Sequence, residues 1–329
     1  MNASKVDFWA FRVRQNLAGI EGAFKAAFSD VVAPVTMKVR RVGWQGYERS
    51  AEVLLGDMGV GLVAWGGENQ RGWAYGSLSG RGCEWVGDWG RAQEAADCLD
   101  GYELKRVDIA VDRFDGEAYG KAVQAYQAGM FSPPGQGGRP PKCRQQLSMN
   151  EEDGSTLYVG TRTSDKFFRG YEKGKQLLGP QMSAALARGD ESGAADAWAG
   201  RVMGTGPRGE TALFPLRDLF RYELELKPKT APLPEDVIDR RDQYFAGAYP
   251  YLQTVLRDVD AEALVMRRER GPQIDLAIAL GNCQRMFGST LFTALTAYRG
   301  DIGAVMAKIM GDKHNEALLK AGVLLVDHE

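Results

Sequence analysis

The chain has 329 residues, 44% hydrophobic and 26% charged, with 41 basic side chains against 43 acidic ones. This balance excludes wholesale disorder, collagen-like repeats and low-complexity chains, and a net charge of −2 excludes a uniformly basic nucleic-acid coat, though not a local basic groove. Only two histidines occur, His314 and His328, so a His-rich zinc site or an HExxH helix cannot be built. Metal chemistry would have to rest on carboxylates, which favour hard ions such as Mg2+ or Mn2+.

At roughly 100–200 residues per domain the length allows two domains or one elaborated α+β unit. Four scattered cysteines, Cys83, Cys98, Cys143 and Cys283, form no CxxC pair and point to a reduced compartment. The N-terminal residues carry charges through their apolar stretch, and no run approaches the roughly 20 apolar residues of a membrane span. The expectation is a soluble, cytoplasmic protein with no membrane partner.

In chain order, residues 7–14 alternate as a strand and 15–30 read as a short helix. Strands follow at 38–42, 51–55, 61–65 and 73–79, joined by glycine turns. The run SGRGC at 79–83 has neither a GKS nor a GxGxxG context, so it reads as a tight turn, with Cys83 a small buried residue. Residues 88–99 form a helix with Asp88 as N-cap, 104–112 a strand of strict alternation, and 116–129 a second helix.

Residues 131–142 hold four prolines and three glycines and read as a loop. The pattern then repeats, with strands at 145–150, 156–161 and 167–173, a helical stretch over 174–200, a strand at 219–227 and a helix at 235–246. RVDIAVD (106–112) and RYELELK (221–227) align Arg with Arg and Asp108 with Glu223. The reading is therefore an α+β fold with a largely antiparallel central sheet, built from two duplicated β-β-β-α-β-α halves, about 37–130 and 143–248. One domain would span 1–248, and a helical C-terminal domain 249–329.

In a strand, residues two apart share a face. Asp108 and Asp112 therefore face one way, and Glu223 and Glu225 share a face on the second strand. Such acids, with no usable histidine, can build a Mg2+ or Mn2+ site, or they are the solvated faces of ordinary antiparallel strands. In TLYVGTRTSDKFFRGYEKGK the alternation puts Tyr171 between Arg169 and Lys173 on one strand face. Cations there would favour the phenolate and bind phosphate, and tyrosine can serve as a covalent nucleophile toward phosphorus. Residues 155–176 hold five basic side chains against two acidic ones, including Arg162, Lys166 and Lys175. Lys38, Arg40, Arg41 and Arg49, with Trp44 and Tyr47 between them, make a second cluster suited to phosphate contacts and base stacking. The run RRER at 267–270 is either a solvated helix face or a further phosphate contact.

The motifs SLSGRGC, RVDIAVDRFDG, TLYVGTRTSDKFFRGYEKGK and RYELELK together resemble the replication initiation factor family over roughly residues 7–250. That family includes rolling-circle Rep proteins of staphylococcal-type plasmids, filamentous-phage replication proteins and related conjugative relaxases. The resemblance implies single-strand nicking and joining of origin DNA through a 5′-phosphotyrosine on Tyr171. It implies a divalent ion, Mg2+ or Mn2+, on Asp108 and Glu223, with Asp112 and Glu225 as second candidates, and phosphorane stabilisation by Arg169 and Lys173. Origin DNA, double- and single-stranded, is the implied partner; a host helicase, a polymerase and a second copy of the chain are further ones. Two positions depart from the family pattern: Arg113 and Gln176 stand where members often carry an acid. Competing readings are a conjugative relaxase of the same chemistry, a DNA-binding regulator without catalysis, and a metal nuclease using water.

Overall fold

The structure is a computed structural model that describes residues 3–14, 16–132, 141–148, 153–229, 232–261 and 276–314. Most of the expected 131–142 loop, the RRER run and His328 lie outside them. Met1–Val265 and Met266–Glu329 are two compact units.

The first unit is built on a ten-stranded sheet. Its strands are β1 (Lys5–Arg14), β2 (Val35–Val39), β3 (Arg49–Leu55), β4 (Met58–Trp65), β5 (Trp73–Leu78), β6 (Glu103–Phe114), β7 (Cys143–Gln146), β8 (Thr156–Gly160), β9 (Lys166–Tyr171) and, after a separate hairpin of β10 (Arg201–Thr205) and β11 (Thr211–Pro215), β12 (Leu219–Leu226). The order across the sheet is β2-β3-β4-β5-β1-β6-β12-β9-β8-β7, and every neighbouring pair is antiparallel. Helices α1 (Leu17–Ala27), α2 (Gly80–Cys83), α3 (Trp89–Asp97), α4 (Ala118–Gln127), α5 (Lys173–Ala187), α6 (Glu191–Ala199), α7 (Arg241–Ala248) and α8 (Pro250–Val255) complete this unit.

The duplicated pattern is visible in the element order. β3-β4-β5-α3-β6-α4 is answered by β7-β8-β9-α5-β12-α7, and β6 pairs with β12 at the centre. Strand β1 breaks the symmetry by inserting between β5 and β6.

One face of the sheet is apolar. Trp9, Val107, Leu226, Ile109, Leu224 and Phe168 are joined across the strands by the registers and are fully buried. Phe24 of α1 and Trp89 of α3 meet Trp9 edge-on at 6.2 and 5.8 Å between ring centroids. Under the second half, Phe131 is packed by Phe168, Tyr249 and Tyr251 at 5.1–5.4 Å. Each of these aromatics removes enough surface from water to contribute about 1.5–3 kcal/mol.

Several elements differ from the sequence-based expectation for local reasons. β9 stops at Tyr171, because Glu172 is the N-cap of α5; Lys173 opens that helix and does not continue the strand. The expected helix over 174–200 is two helices, broken where Gly189 takes φ +71° and Asp190 caps α6 by accepting from Gly193 N at 2.8 Å. The β10–β11 hairpin was not expected at all. The first unit also runs past 248, since Tyr251, Leu252 and Leu256 are buried in it. Asp88 does cap α3, accepting from Arg91 N at 3.1 Å. The 79–83 turn closes as the one-turn helix α2, where a Cβ on Gly82 would lie 2.4 Å from Val60 O.

All four cysteines are free, and Cys83 is buried. The second unit contains α9 (Leu276–Ala297) and α10 (Ile302–Ile309). Among the described residues no helix is long and apolar enough to cross a membrane.

The start of β1 is pinned by Asp242 of α7, whose buried carboxylate accepts from Ala3 N at 2.6 Å, Ser4 N at 2.8 Å and the Ser4 hydroxyl. Asp242→Ala leaves these donors unpaired. It should lower unfolding stability by about 2 kcal/mol or more in a urea titration; an unchanged midpoint would show that the clamp is dispensable.

Candidate active site

The face of the sheet opposite Trp9 and Phe168 is charged, and its centre is not solvated. Asp108, Glu223 and Glu225 are 2%, 3% and 3% exposed, and Arg221 is 6% exposed. Ordinary amphipathic strands would leave these positions in water, so the reading of solvated strand faces does not hold here. What permits the burial is an interleaved set of cations.

The register fixes the pattern. Asp112 of β6, Arg221 of β12 and Tyr171 of β9 lie in one row across the strands. Ala110, Glu223 and Arg169 form the next row, and Asp108, Glu225 and Phe167 the third. Arg106 forks onto Asp108 at 2.7 and 2.5 Å and reaches Glu225 at 2.8 Å. Arg169 binds Glu223 and lies 3.5 Å from Asp108. Arg221 forks onto Asp112 at 2.7 and 2.9 Å and donates to Asp7 at 2.8 Å. Lys5 reaches Asp112 at 2.8 Å, and Lys227 pairs with Glu225.

Two kinds of carboxylate result. Burial works to raise Asp112, but the Arg221 fork and Lys5 overcome it and hold the group below its usual range. Burial raises Asp108 despite Arg106, with the negative charge of Glu225 adding to it. Glu223 is pushed up to about 7 by burial, opposed by Arg169 and assisted by Asp108. Burial and mutual repulsion therefore oppose the ionisation of Asp108 and Glu223 together, against the pull of Arg106 and Arg169.

Tyr171 sits at the margin of this lattice. Burial raises its pKa and so does Glu223, while Arg221 and Arg169 pull it down without prevailing. The expectation of a phenolate favoured by its neighbours is therefore corrected: in the free protein the phenol keeps its proton. Lys173, although on α5, still reaches the ring, its Nζ 5.9 Å from the centroid. It hydrogen-bonds Gln176 at 3.1 Å and makes no ion pair among the described residues.

The four carboxylates expected around a metal are not gathered into one ligand set. Asp112 is four residues along β6 from Asp108, about 13 Å at strand rise, and Arg221 occupies it. Glu225 is opposite Asp108 but carries Arg106 and Lys227. Among the described residues no group of three or more Asp, Glu, His or Cys side chains is placed to hold a metal ion. An acid at position 113 would not have helped, since Arg113 pairs with Phe220 and faces the helices.

The expected DNA contacts divide. Lys38 lies in the row Lys38–Glu52–Leu62–Ser77–Ala10–Arg106, on the charged face. Arg40, Arg41 and Arg49 are exposed beside it, and Trp44 stacks on Tyr75 at 4.7 Å. Arg162 is exposed in the turn between β8 and β9. Lys166 is not available, because it points to the helix side, where Nζ donates to Ala248 O at 3.0 Å and burial lowers its pKa. Lys175 is paired with Glu172 at 2.9 Å and only 16% exposed. The basic clusters at β2–β3 and β8–β9 stand six strands apart in the sheet order rather than together.

Further aromatic and basic residues line the same face, from β5 and β1 across to β7 at the far edge. Arg12 and Arg14 both stack on Trp73 at 4.1 Å, Arg106 covers Phe8 at 4.4 Å, and Arg144 covers Tyr158 at 4.5 Å. Sequence reasoning missed Lys5 and Asp7, which carry no local signal. Arg106 and Arg221 were legible, being in phase with Asp108 and Glu223.

Residues 102–184 match the sequence model of a family described as Replication initiation factor. The matched segment contains Asp108, Asp112, Arg169, Tyr171 and Lys173 and stops short of Glu223. A solved rolling-circle replication initiator protein from Geobacillus stearothermophilus aligns with 82% of this chain and 91% of its own, at 16% identity and a TM-score of 0.48. No curated protein matches the chain.

The raised Glu223 has a measurable consequence. It keeps its proton to about pH 7 in the folded chain, whereas an ordinary glutamate ionises near 4.5. Between those values the folded state binds more protons than the unfolded one, so this group's contribution to stability falls as pH rises. Relative to the parent, Glu223→Gln should become progressively more stable from pH 4.5 to pH 7 in urea unfolding and level off above. A difference independent of pH would mean that Glu223 ionises normally.

Proposed function

We propose that this protein is a rolling-circle replication initiator that nicks and rejoins one strand of origin DNA through Tyr171. The observation that carries the reading is the row Asp112–Arg221–Tyr171, with Arg169 and the buried pair Asp108–Glu223 in the rows beside it. A nucleophile, guanidinium groups for a phosphate and carboxyls able to exchange a proton lie on one sheet face. The family match over residues 102–184 supports it.

The phenol Oη attacks phosphorus, and the 3′-oxygen leaves with the electrons of the broken P–O bond and takes up a proton from water. The new bond is a 5′-phosphotyrosine, and the freed 3′-hydroxyl can prime synthesis. Because Tyr171 starts protonated, its proton must leave as the bond forms. Glu223, in the adjacent row, can accept it in its ionised form. Reversal by an incoming 3′-hydroxyl returns the phenol and joins the strand. Lys173, which makes no ion pair among the described residues, meets the charge that develops on the phosphorane oxygens. Arg169 Nε, a buried donor with no acceptor among the described residues, would find one in a phosphate oxygen.

Asp108 and Glu223, whose ionisation burial opposes, are the residues that would hold a hard divalent ion, and Arg106 and Arg169 would have to give way to it. Mg2+ commonly uses one or two carboxylates and completes its shell with water and phosphate oxygens. When bound there, the ion would supply Lewis-acid polarisation of the phosphate. The cationic and aromatic groups from Lys38 to Arg144 would carry the strand across the sheet by phosphate contacts and base stacking.

Nicking of supercoiled DNA carrying the origin, followed by denaturation, digestion and mass spectrometry, should give a nucleotide adduct on Tyr171. The adduct should vanish in Tyr171→Phe and with EDTA. Persistent nicking by Tyr171→Phe would replace this mechanism with water attack, and tight binding without nicking would leave a DNA-binding regulator. Lys173→Met, which leaves no carboxylate unpaired, should lower the single-turnover nicking rate about 10²-fold while leaving the melting temperature unchanged.

A further inference from the structure

Strand β6 carries charge on both of its faces. Asp112 joins the lattice, and the next residue, Arg113, faces the opposite way at the end of the strand. There it lines a cavity of 170 Å³ with Asp115, Lys121, Tyr222, Tyr251 and Arg257. These residues come from β6, the turn after it, α4, β12, α8 and the segment just after α8, all within the first unit.

The charges in this cavity do not balance. Lys121 neutralises Asp115 at 2.8 Å and also reaches Glu117 at 3.3 Å. Arg113 is half-buried, and its Nη1 donates to the backbone O of Asp112 at 3.0 Å. Arg257 Nε donates to Thr254 O at 3.2 Å. Neither guanidinium makes an ion pair among the described residues. Burial lowers the pKa of Arg113, the mark of a cation held away from water without an adequate counter-charge. The phenols of Tyr222 and Tyr251 hydrogen-bond each other, which leaves one phenolic proton to donate into the cavity.

A cavity of 170 Å³ lies below the roughly 300–1,000 Å³ of pockets that hold drug-sized molecules. It has room for a small group, and two guanidinium groups with a phenolic donor match a tetrahedral oxyanion. We propose that this cavity is a phosphate-binding site on the helix side of the sheet, separate from the Tyr171 face, for a free phosphate or a phosphodiester of DNA. A phosphate there would supply the counter-charge that Arg113 and Arg257 lack. The inference does not depend on the nicking chemistry.

The test uses the full chain and inorganic phosphate. Thermal unfolding in increasing phosphate, against sodium chloride at equal ionic strength, should show a saturable rise in melting temperature specific to phosphate. Arg113→Gln and Arg257→Gln should each weaken the apparent phosphate affinity at least tenfold. Arg257 is exposed, so its variant stays informative even if Arg113→Gln fails to fold. The absence of a phosphate-specific rise, or a rise that persists undiminished in Arg257→Gln, would overturn the proposal.

Binding of a single-stranded oligonucleotide over a range of salt then separates the two sources. For a DNA phosphodiester, Arg257→Gln lowers the slope of log affinity against log salt by about 1 and phosphate competes with the DNA. For a free anion the slope is unchanged, while the phosphate-specific rise is still weakened in the variant. Nicking is not a readout here, so a chain that never nicks leaves the test intact.

Discussion

The interleaving of arginine with carboxylate across β6, β12 and β9 is the constraint on which the rest depends. Strand β12 is buried along its whole length, yet it contains Arg221, Glu223 and Glu225. Removing isolated charges from water would cost far more than a small domain can bear. Register solves this by setting Arg221 opposite Asp112 and Arg169 opposite Glu223. A one-residue slip would turn every one of these charges into the apolar core. The packing of Phe168, Leu224 and Ile109 on one face and the ion lattice on the other therefore enforce the same register.

The lattice is not uniformly satisfied, and the imbalance falls beside the tyrosine. Asp112 has two cations and ionises readily, while burial and mutual repulsion oppose the ionisation of Asp108 and Glu223. Such a pair has two ways to be relieved, through a proton or through a divalent ion. Tyr171 adjoins it at the edge of the buried region, where its own proton is retained. A face poised in this way can exchange protons with a phenol and still present guanidinium groups to a phosphate.

Alternation along β6 makes the two faces of the sheet chemically independent. Even-numbered positions from 106 to 112 build the lattice, while Val107, Ile109 and Val111 build the core. Arg113 continues the odd series beyond the end of that core, where α8 and the β10–β11 turn leave a gap instead of apolar cover. Strand β1 adds a further dependence: Lys5 and Asp7 enter the lattice only because the chain's first strand inserts between β5 and β6. The Asp242 clamp fixes that insertion.

Much of this was legible in the residues. Period-two alternation gave most strands and put Asp108 with Asp112, and Glu223 with Glu225, on shared faces, while the paired motifs gave the duplicated order. These signals are local, and backbone geometry alone turns them into faces. Tertiary structure decided the rest. Glu172 ended β9 and moved Lys173 onto a helix, and Lys166 turned to the core because Leu226 is its partner across the ladder. Pairing distributed the four carboxylates among separate cations instead of gathering them. Burial reversed the expected ionisation of Tyr171, since a phenol's charge is stabilised by neighbouring cations only to the extent that those cations are not already spent on carboxylates. The sequence by itself determined which side chains share a face; which of them pair, and which keep their protons, depended on the order of strands brought together from distant parts of the chain.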